Sequence, residues 1–162
     1  MREWFVAGAL IEDQSRLLLV QNRRHDGRVD WTPPGGVVDP GETVLEGLTR
    51  EVTEETGLVV AAWSEAVYRI EVEAPDLGWK LGVVVHQALE VQGTLVIDDP
   101  DGIVVDAQYV ATHDCHGHLA SSPQWVRDPL GAWLDGGWDR PQSFRYRITG
   151  TDLGSLHVDT LP

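Results

Sequence analysis

Cationic residues are scarce. Lys and Arg number 12 against 26 Asp and Glu, a formal net charge of −14 over 162 residues. Such a chain makes a poor partner for a nucleic-acid backbone, which is bound through clustered Lys and Arg. A small anionic substrate is compatible only where something local reverses the sign. Cysteine is nearly absent as well: with Cys115 alone, no internal disulfide forms and a reducing cytoplasm is the expected compartment. Long apolar runs, repeats and low-complexity tracts are missing. The opening MREWFVAGALIED is apolar only from Trp4 to Ile11 before Glu12 interrupts it, too short a run to cross a bilayer. What remains, 42% hydrophobic residues in a chain of this length, suits one globular domain with a full core and leaves room for a homodimer.

The hydrophobic pattern predicts strands over WFVAGALI (4–11) and RLLLVQ (16–21), joined by the turn-like EDQS. A basic, polar segment (22–30) leads into WTPPGGVV (31–38), where paired prolines and glycines favour a stiff loop with a short strand. In TVLEGLTREVTEET (43–56) the apolar residues Val44, Leu45, Leu48 and Val52 follow a helical stripe, and Gly57 supplies the stop signal. That stripe predicts Glu51, Glu54 and Glu55 on the flank away from the core. Further strands are expected over 59–73, 79–91 and 102–111. Ser122–Pro123 and Asp128–Pro129 each read as a cap followed by a first-turn proline, predicting two short helices or one broken helix. Together these elements predict a mixed α/β domain over 1–150, with a polar, mobile tail at 151–162.

The segment REVTEE (50–55) raises a physical question. Glu51 lies three and four positions from Glu54 and Glu55, and like charges at that spacing cost roughly 0.2–0.5 kcal/mol per pair. Carboxylates in a last turn also oppose the helix dipole. A hard divalent cation resolves both conflicts, because Mg²⁺ takes oxygen ligands and is commonly shared between carboxylates and substrate phosphates. Taken alone, an acidic helix face is usually no more than a solvated surface.

The surrounding residues change that balance. From Gly36 the chain runs G-VVDPG-E-TVLEGLT-REVTEETGL, placing Gly36, Glu42, Arg50, Glu51, Val52, Glu54, Glu55, Gly57 and Leu58 at fixed intervals. This window resembles the signature of the Nudix hydrolase family at every defined position. The resemblance implies a Nudix fold, a mixed β-sheet sandwiched between α-helices. It also implies Mg²⁺-dependent hydrolysis, with Mn²⁺ as a substitute, of a pyrophosphate bond in a nucleoside diphosphate derivative. It assigns Gly36, Glu51, Glu54 and Glu55 to the metal, and Glu42, Arg50, Glu54 and Glu55 to catalysis, with Arg50 positioning Glu42 or a neighbouring acid. The general base is left among the signature glutamates and the later acids Asp99, Asp101 and Asp106. A MutT-like nucleoside triphosphate pyrophosphatase is favoured over an ADP-ribose or nucleotide-sugar pyrophosphatase, since the chain is close to a minimal domain. A non-catalytic nucleotide sensor on the same fold is the alternative from another class; the complete set of signature acids argues against it.

Other signals are weaker. Trp31 and Trp79 are candidates for stacking on a base, and Arg23, Arg24, His25 and Lys80 for meeting the substrate's phosphates or leaving group, against the ordinary alternative of core or surface roles. HDCHGH (113–118) groups His113, Cys115, His116 and His118, but the spacing matches no common zinc pattern and reads as a surface loop. DDPDG (98–102) fails as a calcium loop, because Ile97 and Gln108 fall where acids are required; it reads as a turn.

Overall fold

A computed structural model describes residues 1–162. Strands β1 (Arg2–Leu10), β5 (Gly35–Val37), β6 (Val59–Ala74), β7 (Trp79–Gln92), β9 (Gln142–Thr149) and β10 (His157–Leu161) form a six-stranded mixed sheet in the order β10-β9-β6-β7-β1-β5. Within it, β1 runs parallel to β7 and β6 parallel to β9, while the other neighbours are antiparallel. A smaller sheet joins β2 (Glu12–Asp13), β3 (Arg16–Arg23) and β4 (Val29–Thr32), with β8 (Val104–Ala111) on the free side of β3. Helices α1 (Val44–Thr56), α2 (Cys115–Leu119) and α3 (Gln124–Leu134) complete the chain. No helix is long and apolar enough to cross a membrane.

The apolar runs of β1 and β3 have a simple cause: both strands are buried on two faces. Leu18 and Val20 of β3, with Ala7 and Ala9 of β1, pack against Leu48 and Val52 of α1. Leu17 and Leu19 point the other way, into a core shared with Tyr68, Ile70, Leu119, Leu130 and Tyr146. Full burial of Leu48 or Val52 (each 0% exposed) stabilises the docking of α1 by about 1.5–3 kcal/mol.

Helix α1 occupies the stretch that its stripe predicts. Thr43 caps it by accepting the Glu46 N–H through Oγ1 at 3.2 Å, and Gly57 ends it in the left-handed region at φ 78°. Gly57 is doubly constrained, because a Cβ there would also press within 3.1 Å of Val96 and the Thr94 carbonyl. The Val96 N–H donates to the Thr56 carbonyl (2.8 Å), tying the loop after β7 to the end of the helix.

Several expectations need correction. The supposed tail carries β10, which pairs with β9 along His157–Leu161, and neither strand was foreseen. The HDCHGH segment is a 3-10 turn followed by α2 rather than a loop. Cys115 sits fully buried and points inward while His113 and His116 face solvent, so the cluster does not converge. Pro129 starts no helix. It lies inside α3 and is buried, and the helix begins after Pro123 instead.

Candidate functional site

The residues after β4 are drawn across α1 by short-range chemistry. Strand β5 pairs with β1, setting Gly36 opposite Ala7 and Gly35 opposite Gly8. This lays the backbone of Gly36 on the carboxylate of Glu51. A Cβ on Gly36 would fall 2.5 Å from Glu51 Cδ and 2.7–2.8 Å from its oxygens, so only glycine permits the approach.

Arg50 organises the acids around it. Its Nε and Nη2 donate to the two oxygens of Glu42 at 2.8 and 2.9 Å, a two-pronged pair of the strong type. The Glu42 carboxylate also accepts the Asp39 N–H at 2.9 Å. These contacts, with the Arg50 guanidinium foremost, depress the Glu42 carboxyl to a pKa of about 2. Arg50 Nη1 reaches Glu51 at 3.1 Å and Glu54 at 3.2 Å. One guanidinium thus neutralises part of the repulsion that the sequence creates, and no three acidic side chains converge at liganding distance in this conformation.

Glu55 is the exception to the expected outward flank. It continues the stripe of Leu48 and Val52, seven and three positions on, and is only 7% exposed. Its carboxylate receives one long bond, from the Gly35 N–H at 3.5 Å. Burial first, and then the charges of Glu51 and the neighbouring acids, push its pKa up to about 9. Burial likewise raises Glu51 despite the nearby Arg50. A buried carboxyl with so little compensation, beside the carboxylates of Glu51 and Glu54 and with no sulfur or imidazole ligand among them, is a donor type that fits a divalent cation such as Mg²⁺.

These groups line a cavity of about 550 Å³ together with Arg24, Asp99 and Asp101. Asp99 is committed to its own turn, where it accepts the N–H groups of Asp101, Ile103 and Val104 at 3.2, 3.1 and 2.9 Å. The Asp101 side chain makes no such bond and is exposed. Asp106 does not line the cavity; it lies in β8, where its carboxylate accepts from Ala107 N and Gln108 Nε2.

A second cavity, about 320 Å³, opens beside the first and shares Val6, Asn22, Arg24, Gly35 and Gly36 with it. Its other walls are mainly apolar, including Leu81, Val83 and Val85 of β7 and Trp125 and Val126 of α3. Arg24 therefore stands at the junction, held by Asp30 through two bonds of 2.9 Å.

The other sequence candidates scatter. Arg23 projects to solvent from the opposite face of β3, and His25 lies in the exposed turn beyond. Trp31 supports α2: its carbonyl accepts the Ser122 hydroxyl and its ring meets His118 edge-on at 5.2 Å. Trp79 and Lys80 pair with Arg2 and Glu3, whereas Gly35 faces Gly8. Counted along β1 from Arg2 and Glu3 to Gly8, six and five residues of strand, about 20 and about 17 Å, separate them from the Gly35 end of the site. Asn22, Asp30 and Tyr68 were missed. Asn22 had a signal in the sequence: it continues the buried phase Leu18, Val20, Asn22, a polar side chain where the strand turns inward.

A family model described as "NUDIX domain" matches residues 2–132. The mouse protein named 8-oxo-dGDP phosphatase NUDT18 is 33% identical over 76 residues, covering 47% of this chain and 22% of that protein. An ADP-ribose pyrophosphatase of Methanocaldococcus jannaschii is 40% identical over 50 residues, covering 31% of this chain and 30% of that one. The chain thus spans less than a third of either relative's length. The solved structure of the MutT protein of Bacillus halodurans superposes with a TM-score of 0.69 at 20% identity, over 96% of this chain and 97% of that one, a likeness of fold.

Proposed function

Because the chain belongs to the Nudix family, as the match over residues 2–132 establishes, we propose that it is a pyrophosphohydrolase acting on a small nucleotide with Mg²⁺, or Mn²⁺ in its place. The carrying observation is the pairing of cavities: an acidic hollow with buried, poorly compensated Glu55, opening directly into an apolar one. A diphosphate chain belongs in the first and a nucleobase in the second. A substrate with both ends, a nucleoside di- or triphosphate of the MutT type, fits this division better than one needing a second polar sugar pocket.

Glu51, Glu54 and Glu55, with the backbone of Gly36, would hold the cation. When bound it supplies charge neutralisation of the phosphoanhydride and acidification of a water molecule. The protein's own groups do the rest. Arg50, anchored on Glu42, keeps the signature acids in register, and Arg24 offers positive charge where base and phosphate subsites meet. A water attacks phosphorus, a P–O bond of the anhydride breaks, and the leaving phosphate carries away the bridging oxygen. Asp101 takes the proton in our reading, since it faces the cavity with no competing hydrogen bond while Asp99 is bound to its turn. Of the relatives, one is named for 8-oxo-dGDP and another for ADP-ribose; both names are consistent with a nucleoside diphosphate core. The scarcity of cations lining either cavity argues against an RNA or DNA strand.

The test is hydrolysis of a panel of nucleoside triphosphates, diphosphates and ADP-ribose with Mg²⁺, following release of phosphate, pyrophosphate and nucleoside monophosphate. Turnover that vanishes with a chelator and in Glu54→Gln and Glu55→Gln supports the reading. Folded protein with no turnover of any member defeats it and returns the chain to the class of nucleotide sensors.

A further inference from the structure

The apolar cavity contains two polar side chains whose hydrogen-bonding capacity is not spent. Tyr68 is 2% exposed, yet its hydroxyl has no partner within the protein. No buried side-chain nitrogen or oxygen is sealed off without a hydrogen bond, so that hydroxyl meets the cavity it lines rather than packed core. The ring is held edge-on by Trp138 and Phe144, with centroids at 5.9 and 6.1 Å. These contacts restrain the ring against rotation. Burial also keeps it protonated, well above the ordinary tyrosine range, and hence a donor.

Asn22 is 6% exposed and presents the complementary group. Its Nδ2 donates to Asp30 Oδ1 at 3.1 Å and to Thr32 Oγ1 at 2.9 Å. A carboxylate only accepts, so the amide has one permitted orientation. Oδ1 is then left over as an acceptor, and by the same reasoning it opens where the two cavities that Asn22 lines run together. Asp30 locks this orientation while also gripping Arg24 at the mouth of the acidic hollow.

We propose that Tyr68 and Asn22 are the specificity-determining pair of this site, reading the edge of a nucleobase that offers both an N–H donor and a carbonyl acceptor. The proposal rests on the preceding reading and deepens it. The apolar walls favour any flat ring alike, so they give affinity without choice. Selection comes from the polar pair: a base lacking its partners leaves a buried hydroxyl and a buried amide oxygen unpaired, which is how sites reject near-isosteric ligands. Asp30 is a positioning residue, setting the Asn22 amide and the Arg24 guanidinium together and so fixing base and phosphate in one frame.

Ligand and protein are varied together to test this. Guanosine 5′-monophosphate, which carries both groups, and purine riboside 5′-monophosphate, which lacks both, are titrated by calorimetry into the full chain with Mg²⁺. Wild type should bind the former at least about tenfold more tightly. In Tyr68→Phe that preference should shrink to about threefold or less, through weaker binding of guanosine monophosphate, tighter binding of the unsubstituted nucleotide now that no hydroxyl is left unpaired, or both, and the double-mutant cycle reads the coupling. Should Tyr68→Phe not fold, Asn22→Ser is read in the same way. Equal binding of the two ligands by wild type, or a preference untouched by the substitution, overturns the pair. Loss of the hydrolase reading is recognised separately, by absent Mg²⁺-dependent turnover in wild type; normal turnover without base discrimination sinks the base-reading pair alone.

Discussion

Titrating the metal-free protein with Mg²⁺ near pH 7.5 should expel about one proton per cation bound, and Glu55 should be its source. The magnitude follows from the environment of that carboxyl. With its pKa at about 9, the group is protonated over ionised by roughly thirty to one at that pH. Ligation needs the ionised form, so the proton must leave. Apparent affinity should then rise by roughly tenfold per pH unit up to about pH 9 and level off above it. Stability carries the same signature with a definite sign. The folded, metal-free protein keeps the Glu55 proton up to about pH 9, whereas an unfolded chain releases it near the ordinary glutamate value. Its contribution is therefore complete in acid and is lost as pH rises through that interval. Calorimetry in buffers of differing ionisation enthalpy measures the proton count as a slope, and thermal melts without metal measure the stability. In Glu55→Gln the slope should fall and the metal-free melting temperature should lose most of its decline with pH. A wild-type slope near zero, or one unchanged in Glu55→Gln, would refute the reasoning.

Two further substitutions probe the site. Gly36→Ala pushes a methyl group into the Glu51 carboxylate at 2.5 Å and should weaken Mg²⁺ binding by about 10–100-fold, read by the same calorimetry, while the melting temperature moves only a few degrees. Asp101→Asn should lower kcat by about a hundredfold or more with KM and stability little altered, whereas Asp99→Asn should chiefly loosen the turn that three backbone N–H groups hold to it. Equal kcat losses with equal destabilisation in the two would remove Asp101 as base.

Much of this was legible before the coordinates because some signals are local. A stripe of Leu48 and Val52 ended by Gly57 fixes α1 within one residue, and the resemblance of the signature set Arg50 to position Glu42 or a neighbouring acid. What escaped depends on partners distant in the chain. Strand β9 alternates Phe144, Tyr146 and Ile148 with Ser143, Arg145 and Arg147, and its pairing with β6 lies some 70 residues away in sequence. Strand register, unreadable in one chain, decided that Trp79 and Lys80 sit at the far end of the sheet. The helical angle of Glu55 was readable, since it follows Leu48 by seven, but charge suggested solvent and the site required burial. Tyr68 gave no sign, because its role arises where two sheets and α3 meet.

The contacts of Arg50 with Glu51 and Glu54 have a consequence for how such a molecule lives with its ion. A tethered guanidinium already offsets part of the crowding of negative charge, so the two carboxylates have a resident cationic partner before any ion arrives. An ion of the kind proposed would have to compete with Arg50 for Glu51 and Glu54, and that competition would hold its grip down, leaving occupancy to follow the supply in the surrounding solution.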